Sequence, residues 1–223
     1  MGDSIDLHVH STCSDGTFTP EEVVQKAAEL GIGAISLTDH DSVDGVPIAQ
    51  EVGRSAGVEV VPGTELSVVL EGRDLHLLGY FIDPDHRELV DCLRIYQQER
   101  RDRAERMVRK LNRMGIRVKL EHVLAKAGSA AVGRPHVADV MVEEEFVFSP
   151  DEAFHKYLGY SKPAYEPKYT LTPADGIHVI RAAGGLACLA HPVLYGRDDL
   201  VVAMIAEGLD GIEVRHVKHG PAE

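Results

Sequence analysis

Ile5-Asp6-Leu7-His8-Val9, then Thr19-Pro20-Glu21-Glu22, then Ala34-Ile35-Ser36-Leu37-Thr38 reads as strand, helix, strand. The two apolar runs are short and β-branched, as strands of a buried sheet are. Between them Thr19 is an N-cap, Pro20 suits the first helical position, and Glu22 closes a capping box. Val23, Val24, Ala27, Ala28 and Leu30 carry the helix on, and Gly31 marks its end. A second helix is expected over Pro47–Ala56, stopped by Gly57. Strands follow at Val58–Pro62 and Leu66–Leu70, and Glu71-Gly72-Arg73-Asp74 is a hairpin turn into Leu75–Phe81. Alternation of strand and helix is the signature of an α/β fold with parallel pairing.

From about residue 88 the texture becomes helical. Ala104, Met107, Val108, Leu111 and Met114 form one apolar stripe on a helix expected over Arg94–Met114. Short helical segments are expected near Leu120–Ala127, His136–Glu143 and Pro150–Leu158. Strand patterns return at Gly185–Ala190 and Gly211–Val214, with a helix over Asp199–Ala206 between them. The simplest organisation is one α/β domain (1–90 and 161–223) interrupted by a helical insertion (91–160).

The chain has 223 residues, of which 44% are hydrophobic and 26% charged, so it can bury a core and is not a disordered sequence. A net charge of −13 argues against broad binding to long nucleic acid. No apolar run approaches the roughly 18 residues of a membrane span, and Met1-Gly2-Asp3-Ser4 does not resemble a signal peptide. Cys13, Cys92 and Cys188 are odd in number and far apart, as expected of reduced thiols, so a cytoplasmic location is expected.

Twelve histidines stand out in a chain with five Phe and no Trp. His8 and His10, two apart on an extended segment, face the same way. Asp15 lies in the loop beyond. Asp39 and His40 end the second strand, Glu65 follows the third, His76 lies in the hairpin's returning strand, and His191 ends a later strand. In α/β folds the C-terminal strand ends are where active sites form. Any one such histidine is ordinarily a hydrogen-bonded structural residue; seven ligand-type groups besides Asp39 at one rim suggest a polynuclear metal site. His86, His122, His155 and His178 lie in polar or helical contexts and are read as solvated or structural.

The segments Asp6-Leu7-His8-Val9-His10-Ser11, Ser14-Asp15-Gly16, Leu37-Thr38-Asp39-His40-Asp41 and Gly63-Thr64-Glu65 resemble, in order and spacing, the polymerase and histidinol phosphatase (PHP) family of metal-dependent phosphoesterases. His76, Gly133-Arg134-Pro135-His136, Lys162-Pro163-Ala164-Tyr165, Ala190-His191-Pro192 and Gly208–Val214 extend the likeness to the branch of nucleoside 3′,5′-bisphosphate phosphatases and short-RNA 5′→3′ exonucleases. The insertion and the Gly-Arg-Pro-His stretch make a histidinol-phosphatase role the weaker match.

The resemblance implies a distorted seven-stranded (β/α) barrel with two to three divalent ions at its rim, of manganese, iron or zinc. His8, His10 and Glu65 would hold one ion; Glu65 would bridge to a second, bound by His76 and His191; Asp15 and His40 would hold a third. Asp39 would orient a neighbouring imidazole. The family usually adds a C-terminal Asp-x-His pair, which this sequence, ending at Glu223, does not contain. The resemblance therefore implies either a piece of a longer protein, lacking one strand–helix unit of the barrel, or an altered site, with His216 and His219 in a loop near the substrate.

Ions in such a site arm a water molecule and neutralise phosphoryl charge, so no Ser or Cys nucleophile is required. Cys13 is read as a small packing residue rather than a catalytic thiol. Arg134 and Lys162 lie in motifs the family uses near its phosphate, and Arg134 can grip it through two parallel bonds. His136 is either a donor to phosphate or a helix-start histidine bonded to backbone. Arg94–Lys119 holds ten basic and three acidic residues, either a solvated helix face or a funnel for nucleotides or short RNA. The expected activity is hydrolysis of a nucleoside 3′,5′-bisphosphate with release of the 3′-phosphate. The alternatives are 5′→3′ trimming of short oligoribonucleotides, or a non-catalytic module that binds metal and nucleotide.

Overall fold

A computed structural model describes residues 4–128, 131–169 and 171–216. They form two compact units: Met1–Leu93 with Thr170–Glu223, and Arg94–Tyr169.

The first unit is built on a six-stranded sheet whose spatial order follows the chain: β1 (Ser4–Val9), β2 (Ile32–Leu37), β3 (Glu59–Leu70), β4 (Arg73–Tyr80), β5 (Leu186–Leu189) and β6 (Gly211–Ile212). Helix α1 (Pro20–Glu29) joins β1 to β2 and α2 (Val46–Ala56) joins β2 to β3. Thr19 and Glu22 make the expected capping box on α1, and Gly57 ends α2 in the left-handed conformation. Val23, Val24 and Ala27 pack with Ile35, Leu37, Ala49 and Val58 into one buried cluster, the apolar faces of both helices against β2.

β1–β2–β3 and β5–β6 pair in parallel, but β4 runs antiparallel to both neighbours. The hairpin is a two-residue turn with Glu71 and Gly72 both at positive φ (51° and 75°), the pattern that matches strand twist. The sheet is therefore mixed: the expected hairpin makes β3–β4 antiparallel, and β4–β5 is antiparallel as well, beside the expected parallel pairs. The seven-stranded barrel implied by resemblance is represented by six strands among the described residues.

One strand reading needs correction. The two segments expected at 58–62 and 66–70 are a single twelve-residue strand, with Glu65 inside it rather than beyond its end. Gly63 and Thr64 look like a break in sequence, yet they pair with Tyr80 and Gly79 of β4. A side chain at Gly63 would sit 2.4 Å from Ser36 Oγ, so glycine is there for close strand packing, not for a turn.

Helices α3 (Arg87–Arg113), α4 (Leu120–Ala127), α5 (Arg134–Glu143) and α6 (Pro150–Ala153) follow, α6 running on into a π-helical turn over Phe154–Leu158. α3 starts seven residues earlier than the stripe indicated, because Leu89 and Leu93 extend its buried face. Ala104, Met107, Val108 and Leu111 pack with residues of α4 and α5 in the second unit's own core. In that unit Arg103, Arg106 and Lys110 converge on Glu166: Arg103 donates to its carbonyl, and the other two pair with its carboxylate. Much of the basic face is thus taken up by internal pairing.

The chain then forms α7 (Pro173–Ala182), α8 (Asp198–Ala206) and, between β5 and α8, a 3₁₀ turn over Pro192–Tyr195. The sequence reading places no helix at α7. Its start signal was present, since Thr172 caps the Asp175 N–H and Pro173 follows, but Gly176 weakened the helical pattern. No helix among the described residues is long and apolar enough to cross a membrane.

Candidate metal centre

The ends of β1 and β2 lie beside the middle of β3. Thr38 N–H donates to the Val9 carbonyl, Glu65 N–H to the Asp39 carbonyl, and Asp41 N–H to the Glu65 carbonyl. These bonds carry the chain past β1 and β2 in register with the middle of β3 and bring His8, His10, His40 and Glu65 together. β4, antiparallel beside β3, presents His76; the turn after β5 presents His191.

Glu65 is the hub, and it is buried to 1% exposure. Its Oε2 lies 3.2 Å from His8 Nε2, 3.1 Å from His10 Nε2 and 3.3 Å from His40 Nδ1. Its Oε1 lies 2.8 Å from His76 Nδ1 and 3.1 Å from His191 Nε2. One carboxylate thus divides five imidazoles between its two oxygens. Asp15, more exposed, faces His10 at 3.2 Å and His40 at 3.9 Å.

Asp15 is placed by a tight loop in which Ser14 and Gly16 both donate N–H to the Ser11 carbonyl. Asp39 holds this loop. Buried beneath it, Asp39 accepts from Ser11 N–H, Ser11 Oγ and Ser14 Oγ. The expectation that Asp39 orients an imidazole therefore takes an indirect form: Ser14 Oγ, its partner, lies 3.3 Å from His10 Nδ1.

Two further residues, not singled out in the sequence, complete the arrangement. Glu213, just after β6, accepts from His8 Nδ1 at 2.9 Å and from the His191 N–H at 2.6 Å. Tyr195 has its hydroxyl 3.2 Å from His191 Nδ1 and accepts the His76 N–H at 3.1 Å. Glu213 was findable by the strand-end rule that picked out Glu65 and His191; Tyr195 was not, since only the 3₁₀ turn brings it back. The His216 ring is 5.4 Å from His8 and 5.3 Å from His191, at the margin of the cluster. His219 lies outside the described residues.

Proton affinities follow the packing. Burial pulls His8 and His10 downward, but bonds to Glu213 and Glu65 raise His8 to about 9, and bonds to Asp15 and Glu65 raise His10 to about 10. His40 is lowered to about 4, first by burial and then by the neighbouring His76 and His10. Burial opposes ionisation of Glu65, yet its imidazole partners hold it well below the ordinary range. The bond from His10 holds Asp15 down as well. Burial raises the Cys13 thiol, which fits a packing residue rather than a thiolate.

Do these residues suit a divalent ion? The His8 and His10 Nε2 atoms lie 3.1 Å apart, and Glu65 Oε2 lies at the same range from both. Donors about 2.1 Å from one ion at tetrahedral or octahedral angles are themselves roughly 3.0–3.4 Å apart. His40 Nδ1 and His76 Nδ1 are buried without a hydrogen bond, although each lies close to a Glu65 oxygen. Ring nitrogens buried this way, beside a shared carboxylate, are what a cation would satisfy. Donor atoms cluster within 4.8 Å in four groups: His8–His10–Glu65, His40–Glu65–His76, His10–Asp15–His40 and His8–Glu213–His216. The residues fit.

Residues 6–118 match the PHP domain. The chain is 34% identical over 219 residues to a 5′-3′ exoribonuclease of Haemophilus influenzae, covering 96% of this chain and 80% of that protein. The chain belongs to the PHP domain family. A 3′,5′-nucleoside bisphosphate phosphatase of Chromobacterium violaceum is 33% identical over 222 residues, covering 97% of this chain and 78% of that one. The crystal structure of a protein from Bifidobacterium adolescentis, assigned as a metal-dependent phosphoesterase, superposes with a TM-score of 0.87 at 30% identity, covering 99% of this chain and 80% of that one. This PHP chain is accordingly a metal-dependent phosphoesterase, a hydrolase, of a family that implies divalent metal ions.

Arg134, His136 and Lys162 belong to the second unit of the PHP chain. Arg134 opens α5 with its guanidinium 5.7 Å from the Phe154 ring, 5.4 Å from Tyr160 and 5.7 Å from Tyr165. Its direction is set by stacking. His136 Nδ1 accepts the Gly133 N–H at 3.0 Å, the backbone-bonded role of a helix-start histidine, which leaves Nε2 as the protonated nitrogen. Lys162 is half-buried in the turn after the π-helical segment, its N–H on the Gly159 carbonyl.

Proposed function

We propose that this PHP phosphoesterase hydrolyses the 3′-phosphate of a nucleoside 3′,5′-bisphosphate at a centre of two to three divalent ions. The observation that carries the reading is the division of Glu65, with Oε2 toward His8, His10 and His40 and Oε1 toward His76 and His191. A bridging carboxylate of this kind serves neighbouring ions. His8, His10 and Glu65 would hold one, Glu65, His76 and His191 a second, and Asp15 with His40 a third; manganese, iron or zinc would each suit the donors. Such ions supply a water of lowered pKa and neutralise charge on the phosphoryl oxygens.

The chain's own residues do the rest. Glu65, ionised and buried, keeps the imidazoles converged. Asp39 fixes the Ser11–Gly16 loop and so the position of Asp15. Arg134, stacked among Phe154, Tyr160 and Tyr165, would bind a phosphate through parallel N–H groups. His136 and Lys162 are proposed as further phosphate-binding residues of the second unit. His216, at the margin of the cluster, would lie near the substrate. The substrate class draws support from the bisphosphate phosphatase of Chromobacterium violaceum.

A second reading, 5′→3′ trimming of short oligoribonucleotides, is favoured by the similarity to the Haemophilus exoribonuclease. One comparison separates them: kcat/KM for a nucleoside 3′,5′-bisphosphate and for a 5′-phosphorylated diribonucleotide, with manganese, before and after chelation. A bisphosphate preference lost on chelation and restored by metal is expected. Equal or faster cleavage of the dinucleotide sinks the narrow reading, and activity indifferent to chelation sinks both.

A further inference from the structure

We infer that Glu213 is a positioning residue that dictates which nitrogen of His8 faces the metal centre. This rests on the reading that His8 holds an ion. The side chains of His8 and Glu213 are each only 9% exposed, so water competes little for their contact. Glu213 makes two bonds. Its Oε2 lies 2.6 Å from the His191 backbone nitrogen, which can only donate. Its Oε1 lies 2.9 Å from His8 Nδ1. An ionised carboxylate only accepts, so this contact places a proton on Nδ1. In a neutral imidazole the lone pair then resides on Nε2. Nε2 is the nitrogen that lies 3.1 Å from His10 Nε2 and 3.2 Å from Glu65 Oε2.

The same carboxylate secures a second candidate ligand. His191 has φ 32° and ψ 57°, a left-handed conformation that a non-glycine residue adopts at a cost. The bond from its N–H to Glu213 holds it there, with Nε2 turned toward Glu65 Oε1. One side chain at the end of β6 therefore sets a tautomer on β1 and a backbone conformation after β5. Carboxylates behind metal-binding imidazoles ordinarily matter by about 10–100-fold in metal affinity.

Glu213→Gln is the decisive variant, because it keeps the shape and removes one acceptor. The amide oxygen is claimed by the His191 N–H, which has no other role to play. The amide NH₂ then faces His8 Nδ1, which must accept, and the proton moves to Nε2 and blocks it. Zinc titrations against a competing chelator, with thermal melts of the metal-free proteins as a control of folding, read the effect. One zinc is expected to weaken about 10–100-fold in Glu213→Gln, the remaining sites holding. Glu213→Asp, which keeps two acceptors on a shorter arm, is expected to bind more tightly than Gln. Adding Glu213→Gln to His8→Ala is expected to cause no further loss.

Wild-type affinity in Glu213→Gln overturns the inference, as does equal loss in the Asp and Gln variants. So does an additional loss in the double variant. An equal loss in His216→Ala overturns it in a different way, by making Glu213 a direct ligand with His216 and His8. Wild-type protein that binds no zinc would instead remove the metal-centre reading, and this inference with it.

Discussion

The Tyr195 hydroxyl lies 3.2 Å from Nδ1 of His191, four residues back along the chain. The same oxygen accepts the His76 N–H at 3.1 Å. One phenol thus ties the antiparallel strand β4 to the turn after β5, across two candidate ligands of one ion.

Tyr195→Phe should leave the fold intact and loosen the ion assigned to His76 and His191. A fall of about tenfold in affinity for one metal is expected, with a stability loss on the order of 1 kcal/mol from the unpaired His76 N–H. Metal titration and urea unfolding of the metal-free protein measure the two separately. Unchanged affinity would show that the contact does not orient His191.

Glu65→Gln should be the most damaging conservative change in the molecule. The amide cannot bridge two ions, and its NH₂ would face imidazoles now held by a carboxylate. Bound metal should drop by more than one ion per chain, and kcat by at least about a hundredfold. Elemental analysis of the purified variant decides it; full metal content would refute the bridging role.

Gly16→Ala tests the loop that carries Asp15. A Cβ there would meet the His10 carbonyl oxygen at 2.4 Å, a backbone atom that cannot swing away. Overpacking of this kind costs about 1–3 kcal/mol, and each kcal/mol lowers Tm by roughly 2–4 °C in a chain of this size. Activity should fall further than this stability loss explains, because Asp15 and His10 move together. Normal activity with a lowered Tm would show that the loop is merely structural.

Metal-free protein should lose stability as the solution becomes alkaline. His8 and His10 bind protons more tightly in the fold (about 9 and 10) than in the unfolded chain, where 6.5 applies. Their contribution is complete below 6.5 and disappears as pH rises through 9 and 10. Asp15 and Glu65, held low, contribute above their ordinary values of 3.8 and 4.5 and lose that contribution in acid. His40, lowered to about 4, adds a further loss below 6.5. Guanidinium midpoints should therefore peak near about pH 6.5 and decline from there towards about pH 10, and the alkaline decline should flatten in His8→Ala/His10→Ala. A midpoint still rising at pH 10 would contradict this.

Arg134→Ala should raise KM for phosphorylated substrate about tenfold while changing kcat little, the pattern of lost uniform binding. Arg134→Lys should recover little, since an ammonium neither lies flat among Phe154, Tyr160 and Tyr165 nor binds phosphate through two parallel N–H groups. Initial rates over a range of bisphosphate concentrations distinguish these outcomes; an unchanged KM would remove Arg134 from the binding site.

Sequence by itself determined the local elements and the chemical inventory. The Thr19–Glu22 cap, the helical stripe of α3 and the turn at Glu71-Gly72 are legible because each depends on residues a few positions apart. His8 and His10 share a side because alternation on an extended strand requires it. Tertiary structure alone decided which oxygen of Glu65 serves which imidazole, and that Glu213 and Tyr195 stand behind the ligands. It also decided that Gly63 and Thr64 continue a strand instead of ending one. Those outcomes hang on the register between strands far apart in the chain, and register is set by the summed packing of whole elements rather than by any short stretch.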